Sequence, residues 1–330
     1  MTEASQPCTC GRIDVHAHFL PDVYIDALRK AGVESLDGGF PIPAWNAAAA
    51  IETMDRQGID TAIVSLSTPA TNVIPEKDRA GLAREVNEAG ARLVRDFPGR
   101  FGFFATLPMP DVDAAMAELK YALDTLGADG IILLTHSDGQ YLGNPAFAPI
   151  FAELNRRAAT LFVHPTSPAC YEAVALGRLA ALIEFPIDTT RAITDLIYTR
   201  TLQTNPHINV VVPHGGAALP ALAARIALLA NSPHHDPRPT SDAEVFETLA
   251  RLFYDTAIAS HPVSISALRN IAPISQILYG SDWPFVQEMG VAMHLRLLGQ
   301  NGLSESDMKA IAHENAERIL PRIAKLRRQA

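Results

Sequence analysis

Short, almost wholly apolar runs recur along this chain, each separated from the next by room for a helix. Ile131 to Leu134 reads Ile-Ile-Leu-Leu, Leu161 to Val163 reads Leu-Phe-Val, and Val210 to Val212 is all valine. A strand with one wet face alternates polar and apolar residues, so an unbroken run calls for cover on both faces. That is the condition of a parallel sheet wrapped by helices. Strands are expected near Arg12–Val15, Thr61–Leu66, Phe101–Thr106, Gly130–Leu134, Thr160–Val163, Asn209–Val212, Leu252–Tyr254 and Gln276–Tyr279. Helical patterns lie between them at Ala47–Gln57, Lys77–Phe97, Val112–Leu126, Pro145–Ala158, Tyr171–Glu184, Thr189–Thr204 and Ala217–Leu229. Several end at helix-stopping residues such as Gly58, Pro98-Gly99 and Gly127. Eight strands alternating with helices predict a (β/α)8 TIM barrel, with residues 1–330 as one domain and 1–11 as a flexible N-terminus. A doubly wound open sheet is the competing arrangement. No Gly-x-Gly-x-x-Gly or Gly-Lys-Ser/Thr follows a strand to support a nucleotide fold. Leu20–Ala44 is a long excursion after the first strand and is expected to act as a lid at the mouth.

Bulk composition removes several function classes. The net charge is −9, from 27 basic and 36 acidic residues, and no Lys/Arg run stands out, which argues against nucleic acid as a partner. The 3 cysteines, Cys8, Cys10 and Cys170, cannot build a disulfide framework. Residues 1–12 lack the apolar stretch of a secretory leader, and no apolar run is long enough to span a bilayer. A soluble, cytoplasmic protein without membrane partners is the expectation. Cys8-Thr9-Cys10 has the wrong spacing for a zinc knuckle, and His234-His235-Asp236 sits in a proline-rich stretch expected to be a solvated loop.

The chemistry gathers at strand ends. His16 and His18 are two apart, so in a strand both imidazoles face one spot. Two neutral imidazoles side by side pack poorly unless a divalent metal bridges them. The fifth strand runs into His164-Pro165, the sixth into Pro213-His214-Gly215-Gly216, and the eighth into Gly280-Ser281-Asp282-Trp283-Pro284. In a barrel these C-terminal ends converge at one mouth, where barrel active sites lie. A lone histidine after a strand is usually structural. His-x-His, His, His and Asp from four separate strand ends point to a catalytic metal centre.

With those residues in place, the chain resembles the amidohydrolase superfamily. It is similar in pattern to the branch of aminocarboxymuconate-semialdehyde decarboxylase and the hydroxybenzoate decarboxylases. The resemblance runs from Asp14-Val15-His16-Ala17-His18 to His313-Glu314-Asn315-Ala316 and includes Gly-Ser-Asp-Trp-Pro at 280–284. Phe-Pro-Ile-Asp-Thr-Thr-Arg at 185–191 and Tyr-Asp-Thr-Ala at 254–257 look most like decarboxylases of the 6-methylsalicylate type. The resemblance implies that His16, His18, His164 and Asp282 ligate one divalent ion, zinc or else manganese. It implies that Asp282 is the proton donor, and that His214 orients groups or relays protons. A metal-bound hydroxide assisted by His214 is the alternative way to start the reaction. No lysine follows the fourth strand, which reads Leu133-Leu134-Thr135-His136, so a carbamylated lysine bridging two metals has no candidate there.

Arg225 matches a family arginine that grips a substrate carboxylate in a neighbouring subunit, which implies a homodimer. The second arginine of the muconate-semialdehyde enzymes has no counterpart in Asp37–Trp45. That favours a smaller, more apolar acid, with Phe19 and Trp283 expected in the pocket wall and Phe40, Phe185 and Phe285 as further candidates. Asp255 is expected to bond backbone at the mouth, Asn315 to tie down the C-terminal helix, and Glu184 or Asp188 to brace a ligand histidine. His136 reads equally as pocket-lining or structural. The function implied is metal-dependent, non-oxidative decarboxylation of a small hydroxybenzoate-like acid. The alternative is a superfamily hydrolase of a lactone or amide.

Overall fold

The computed structural model describes residues 11–230, 232 and 240–329. Eight parallel strands form one sheet in chain order: β1 (Arg12–His18), β2 (Ile59–Ser65), β3 (Phe101–Thr106), β4 (Gly130–Leu134), β5 (Thr160–His164), β6 (Asn209–Val212), β7 (Phe253–Asp255) and β8 (Ile277–Leu278). The sheet closes because the segment after β8 returns to β1. Val15 N donates to Tyr279 O (3.0 Å), Asp282 N to His16 O (2.7 Å) and His18 N to Trp283 O (2.8 Å). The result is the expected (β/α)8 barrel. Its interior is a layer of one or two side chains per strand: Ile13, Val15, Ile63, Phe104, Ile132, Phe162, Val211, Phe253 and Leu278. Ala316, Ile319, Leu320 and Ile323 of the C-terminal helices join the same cluster and plug one end. Asn315 Nδ2 donates to Ile274 O and Ile277 O (both 2.8 Å), fastening that plug to β8.

The helices form the outer ring, including α1 (Asp22–Lys30), α2 (Ala47–Gln57), α3 (Glu76–Asp96), α4 (Val112–Tyr121), α5 (Ala148–Arg156), α6 (Glu184–Tyr198) and α7 (Leu219–Leu229). α2 shows why their ends are legible in sequence. The Asn46 side chain accepts from Ala49 N at the start, and Gly58 takes a left-handed conformation at the stop. The helix expected over Tyr171–Glu184 is not continuous. A single turn, Tyr171–Val174, ends before Leu176 (φ 51°) and Gly177 (φ 71°), and α6 starts only at Glu184. Left-handed backbone at two adjacent residues cannot continue a right-handed helix. The excursion after β1 is also not bare loop. It holds α1 and a small hairpin, Ser35–Leu36 against Phe40–Pro41. The Cys8-Thr9-Cys10 and His234-His235-Asp236 stretches lie outside the described residues. Among the described residues no helix is long and apolar enough to cross a membrane.

Candidate metal centre and active site

A one-residue irregularity in β1 sets up the centre. Between Asp14 and Ala17 the strand advances three positions while its partner β2 advances two, Ala62 to Val64. A bulge of this kind reverses which side chains face inward. Below it Ile13 and Val15 fill the barrel. Above it His16 and His18 do, both fully buried. Simple alternation from Ile13 would have put Ala17 there instead.

The ends of β5, β6 and β8 bring His164, His214 and Asp282 to the same place. His16 Nε2 lies 3.2 Å from His18 Nε2 and 3.4 Å from Asp282 Oδ1. His18 Nε2 lies 3.2 Å from Asp282 Oδ1, and His214 Nε2 lies 3.4 Å from Asp282 Oδ2. The donor atoms of His16, His18 and His164 lie within 4.8 Å of one another, as do those of His16, His214 and Asp282. His214 and Asp282 both adopt positive φ (57° and 60°), costly for residues with a Cβ and tolerated where surrounding bonds fix the turn. Two such bonds are His214 N to Asp255 Oδ1 (3.0 Å) and Asp282 N to His16 O. Gly280 is required for close approach. A Cβ there would sit 2.9 Å from His16 Cβ and 3.0 Å from Asp255 Cβ.

Each buried ring has a partner on its far nitrogen. His18 Nδ1 reaches Ser65 O (3.2 Å), His164 Nδ1 reaches Pro165 O (2.8 Å), and His16 Nδ1 reaches Asp255 Oδ2 (2.8 Å). This leaves each Nε2 turned toward the shared centre, the arrangement in which an outer partner sets ring orientation and tautomer for a metal. Burial lowers the pKa of His18. Burial, with the nearby His18 and His16 rings, holds His164 well below its ordinary value. For His16 burial also works against the charged form, but the Asp255 and Asp282 carboxylates outweigh it and push its pKa up to about 9. Burial alone would raise Asp282. His16, His18 and His214 overcome this and hold it well below the usual carboxylate range. The cluster therefore joins His18 and His164, held neutral, with a His16 that must give up its proton and with one ionised carboxylate, a donor set fit for a divalent cation.

Asp255 was visible in the sequence only as a backbone-bonding residue. It does accept from His214 N and Ala257 N (2.9 Å), and it also orients His16. The signal was available: it ends β7 as the other site residues end their strands. Glu184 and Asp188 do not brace a ligand histidine. Asp188 instead accepts from Thr135, Tyr141 and Arg191. His136 is structural, its Nε2 on Ser167 O (3.1 Å) and its Nδ1 accepting from Gly139 N (3.3 Å).

The centre opens into a cavity of about 440 Å³. His164, His214 and Asp282 line its floor, and Leu36, Phe40, Phe185, Pro186 and Phe285 form much of its wall. Phe19 and Trp283 are not among the lining residues. Phe19 follows inward-facing His18, so it turns outward and packs edge-on to Trp45, ring centres 6.0 Å apart. Trp283 sits with Ala17, Ala50 and Met54 between barrel and α2. Arg225 lies on α7, exposed and away from the cavity wall, with no ion-pair partner among the described residues.

A closed eight-stranded parallel barrel with a buried His/Asp cluster at the C-terminal strand ends is the architecture of a metal-dependent barrel enzyme. The sequence model of the family described as Amidohydrolase matches residues 13–322, and the chain belongs to that family. It is 39% identical over 331 residues to decarboxylase yanB of Aspergillus niger, covering 94% of this chain and 88% of that one. It is 33% identical over 319 residues to the 6-methylsalicylic acid decarboxylase of Penicillium expansum, covering 95% and 97%. The crystal structure of a dihydroxybenzoic acid decarboxylase from Polaromonas sp. JS666, with bound manganese and 2-nitroresorcinol, shares the fold at 21% identity. Its TM-score is 0.80, over 94% of this chain and 97% of that one.

Proposed function

We propose that this chain is a metal-dependent, non-oxidative decarboxylase of a small hydroxybenzoate-like acid, of the 6-methylsalicylate or resorcylate type, releasing CO2. The observation that carries the reading is the meeting of buried His16, His18 and His164 with the ionised carboxylate of Asp282 in a centre that opens, through His164, His214 and Asp282, onto a largely apolar cavity. The 33–39% identity to named decarboxylases supports the reaction type. His16, His18, His164 and Asp282 would hold one divalent ion. Three imidazoles and a carboxylate suit zinc, and manganese, present in the Polaromonas enzyme, is the alternative. Bound there, the ion would supply a Lewis acid and template for the substrate carboxylate and neighbouring hydroxyl.

The chain's own residues handle the proton. Asp282 Oδ2 and His214 Nε2 lie 3.4 Å apart and face the cavity, and we assign the reacting proton to this pair. In this reading that proton goes to the ring carbon bearing the carboxylate. The bond from that carbon to the carboxylate then breaks, its electron pair returns to the ring, and CO2 leaves. The hydrogen stays on the ring, and water or the next substrate restores the proton to the pair. Leu36, Phe40, Phe185 and Phe285 would exclude water and seat the ring. We further infer a homodimer. Arg225 is exposed on α7, Leu228 beside it is 80% exposed, and Leu182 and Val263 on the cavity rim are 64% and 72% exposed. A second copy covering this face would bury them.

The test is CO2 release by metal-replete enzyme from 6-methylsalicylate, 2,6-dihydroxybenzoate and aminocarboxymuconate semialdehyde, each with and without chelator. Chelator-sensitive release from a ring acid is expected. No release from any of them, with one metal bound per subunit, would overturn the reading and turn attention to lactones.

A further inference from the structure

The hairpin that follows α1 carries a carboxylate with no role in the metal centre. Asp37 sits at its turn, half-buried, and lines the cavity together with the hairpin residues Leu36 and Phe40. One of its oxygens, Oδ2, takes three donors: Thr68 Oγ1 (2.8 Å), Thr166 Oγ1 (2.8 Å) and Ser167 N (2.7 Å). Thr68 and Thr166 also lie 2.7 Å from each other. Thr68 follows β2 and Thr166 follows β5, two residues beyond His164. Asp37 therefore clamps the hairpin to two barrel strands beside the centre. The next residue fits tightly: a Cβ on Gly38 (φ 70°) would lie 2.7 Å from Ala180 Cβ.

No donor among the described residues reaches Asp37 Oδ1. The carboxylate is held at one oxygen only, and it belongs to the cavity wall. Among the described residues no lysine or arginine lines that cavity. One anionic group of the substrate has the metal centre to meet it. Within the cavity of one subunit a second would meet apolar side chains and the Asp37 charge, at a cost that a partly desolvated site enlarges.

Resting on the decarboxylase reading, we infer that Asp37 is a specificity-determining residue: its fixed negative charge rejects ring acids carrying a second carboxylate and admits neutral substituents such as methyl or hydroxyl. Discrimination here comes from a repulsive element as well as from fit.

The probes are 6-methylsalicylate as substrate and 3-hydroxyphthalate, the same ring with a carboxylate in place of the methyl, as inhibitor. The readout is the ratio of the 3-hydroxyphthalate inhibition constant to the 6-methylsalicylate KM. Asp37→Asn keeps the side chain's shape and an acceptor for the three donors while removing the charge. It should lower this ratio about tenfold or more. Asp37→Glu keeps the charge and should keep the ratio within about threefold of wild type. A residue that merely holds the hairpin would lower kcat and the thermal midpoint in both variants with the ratio unmoved, and that result overturns the inference.

Should Asp37→Asn fail to fold, wild type alone decides. 6-Carbamoylsalicylate, which has a neutral amide in place of the second carboxylate, should inhibit about tenfold more tightly than 3-hydroxyphthalate, and equal inhibition overturns the inference. Wild type inert toward every ring acid would remove the decarboxylase reading and this inference together. An active wild type with an unmoved ratio removes only the inference.

Discussion

Replacing Asp255 by Asn tests whether the metal centre works as its geometry implies. Asp255 is fully buried and accepts from His214 N and Ala257 N through Oδ1 and from His16 Nδ1 through Oδ2. Asparagine keeps an oxygen for the two backbone donors and turns its NH2 toward His16. Nδ1 must then accept instead of donate, which moves the ring proton to Nε2, the atom facing the centre. Loss of such an outer partner typically costs about 10–100-fold in metal affinity, or about 1.4–2.8 kcal/mol.

A second effect runs the other way. In the metal-free wild type the two carboxylates push the His16 pKa up to about 9, so near neutrality a metal must displace a proton. That competition weakens apparent affinity by about tenfold for each pH unit below the pKa. The variant loses much of the elevation and hence much of the penalty. The loss of affinity in Asp255→Asn should therefore be full above pH 9 and shrink toward neutrality.

Calorimetric titration with zinc in buffers of different ionisation enthalpy reads affinity and proton count together. Wild type near pH 7.5 should release close to one proton per metal, from His16, because His18 and His164 are already held neutral. The variant should release fewer. The same shift has a sign for folding: the His16 charge stabilises the metal-free protein fully below its ordinary pKa of 6.5, and this is lost as pH rises through about 9. An affinity loss independent of pH, or a wild type that releases no proton, would refute the account.

Asp282→Asn should abolish turnover and weaken metal binding, read as CO2 release and metal content after dialysis, because it removes a donor and the partner of His214. His214→Ala should lose activity while keeping about one metal per subunit; loss of both would make His214 a ligand. Arg225→Ala should raise KM more than it lowers kcat, and an unchanged KM would take it out of the substrate site. Arg322→Ala takes from Asp129, whose side chain is buried, a two-pronged bond (2.9 and 2.6 Å) to that guanidinium and leaves it the Phe103 N donor (3.0 Å). We expect a loss of about 3 kcal/mol in denaturant unfolding. Adding Asp129→Asn should recover much of it, and a variant no less stable than wild type would contradict the assignment.

How far the site could be read in the sequence depended on what fixed each residue. The eight strands were legible because burial on both faces leaves continuous apolar runs, and Phe101–Thr106, Gly130–Leu134 and Asn209–Val212 fall where those runs placed them. That His16, His18, His164 and Asp282 come together was legible because strand ends in a barrel converge whatever lies between them. The direction of an individual side chain was harder to see. His16 and His18 face inward only because β1 carries an extra residue between Asp14 and Ala17, and no local pattern announces a bulge. The same parity governs the aromatics. Phe19, next in line after an inward His18, turns out to Trp45, while Phe40 and Phe285, far apart in sequence, meet across the cavity with ring centres 6.0 Å apart. The bond of Asp255 to His16 and the clamp made by Asp37 were hidden for a further reason. Each of these contacts joins residues more than 25 positions apart: His16 for one, Thr68 and Thr166 for the other. The candidate ligands are set by the ends of single strands, whereas Asp255 and Asp37 take their partners from several strand ends, and that meeting exists only once the barrel has closed.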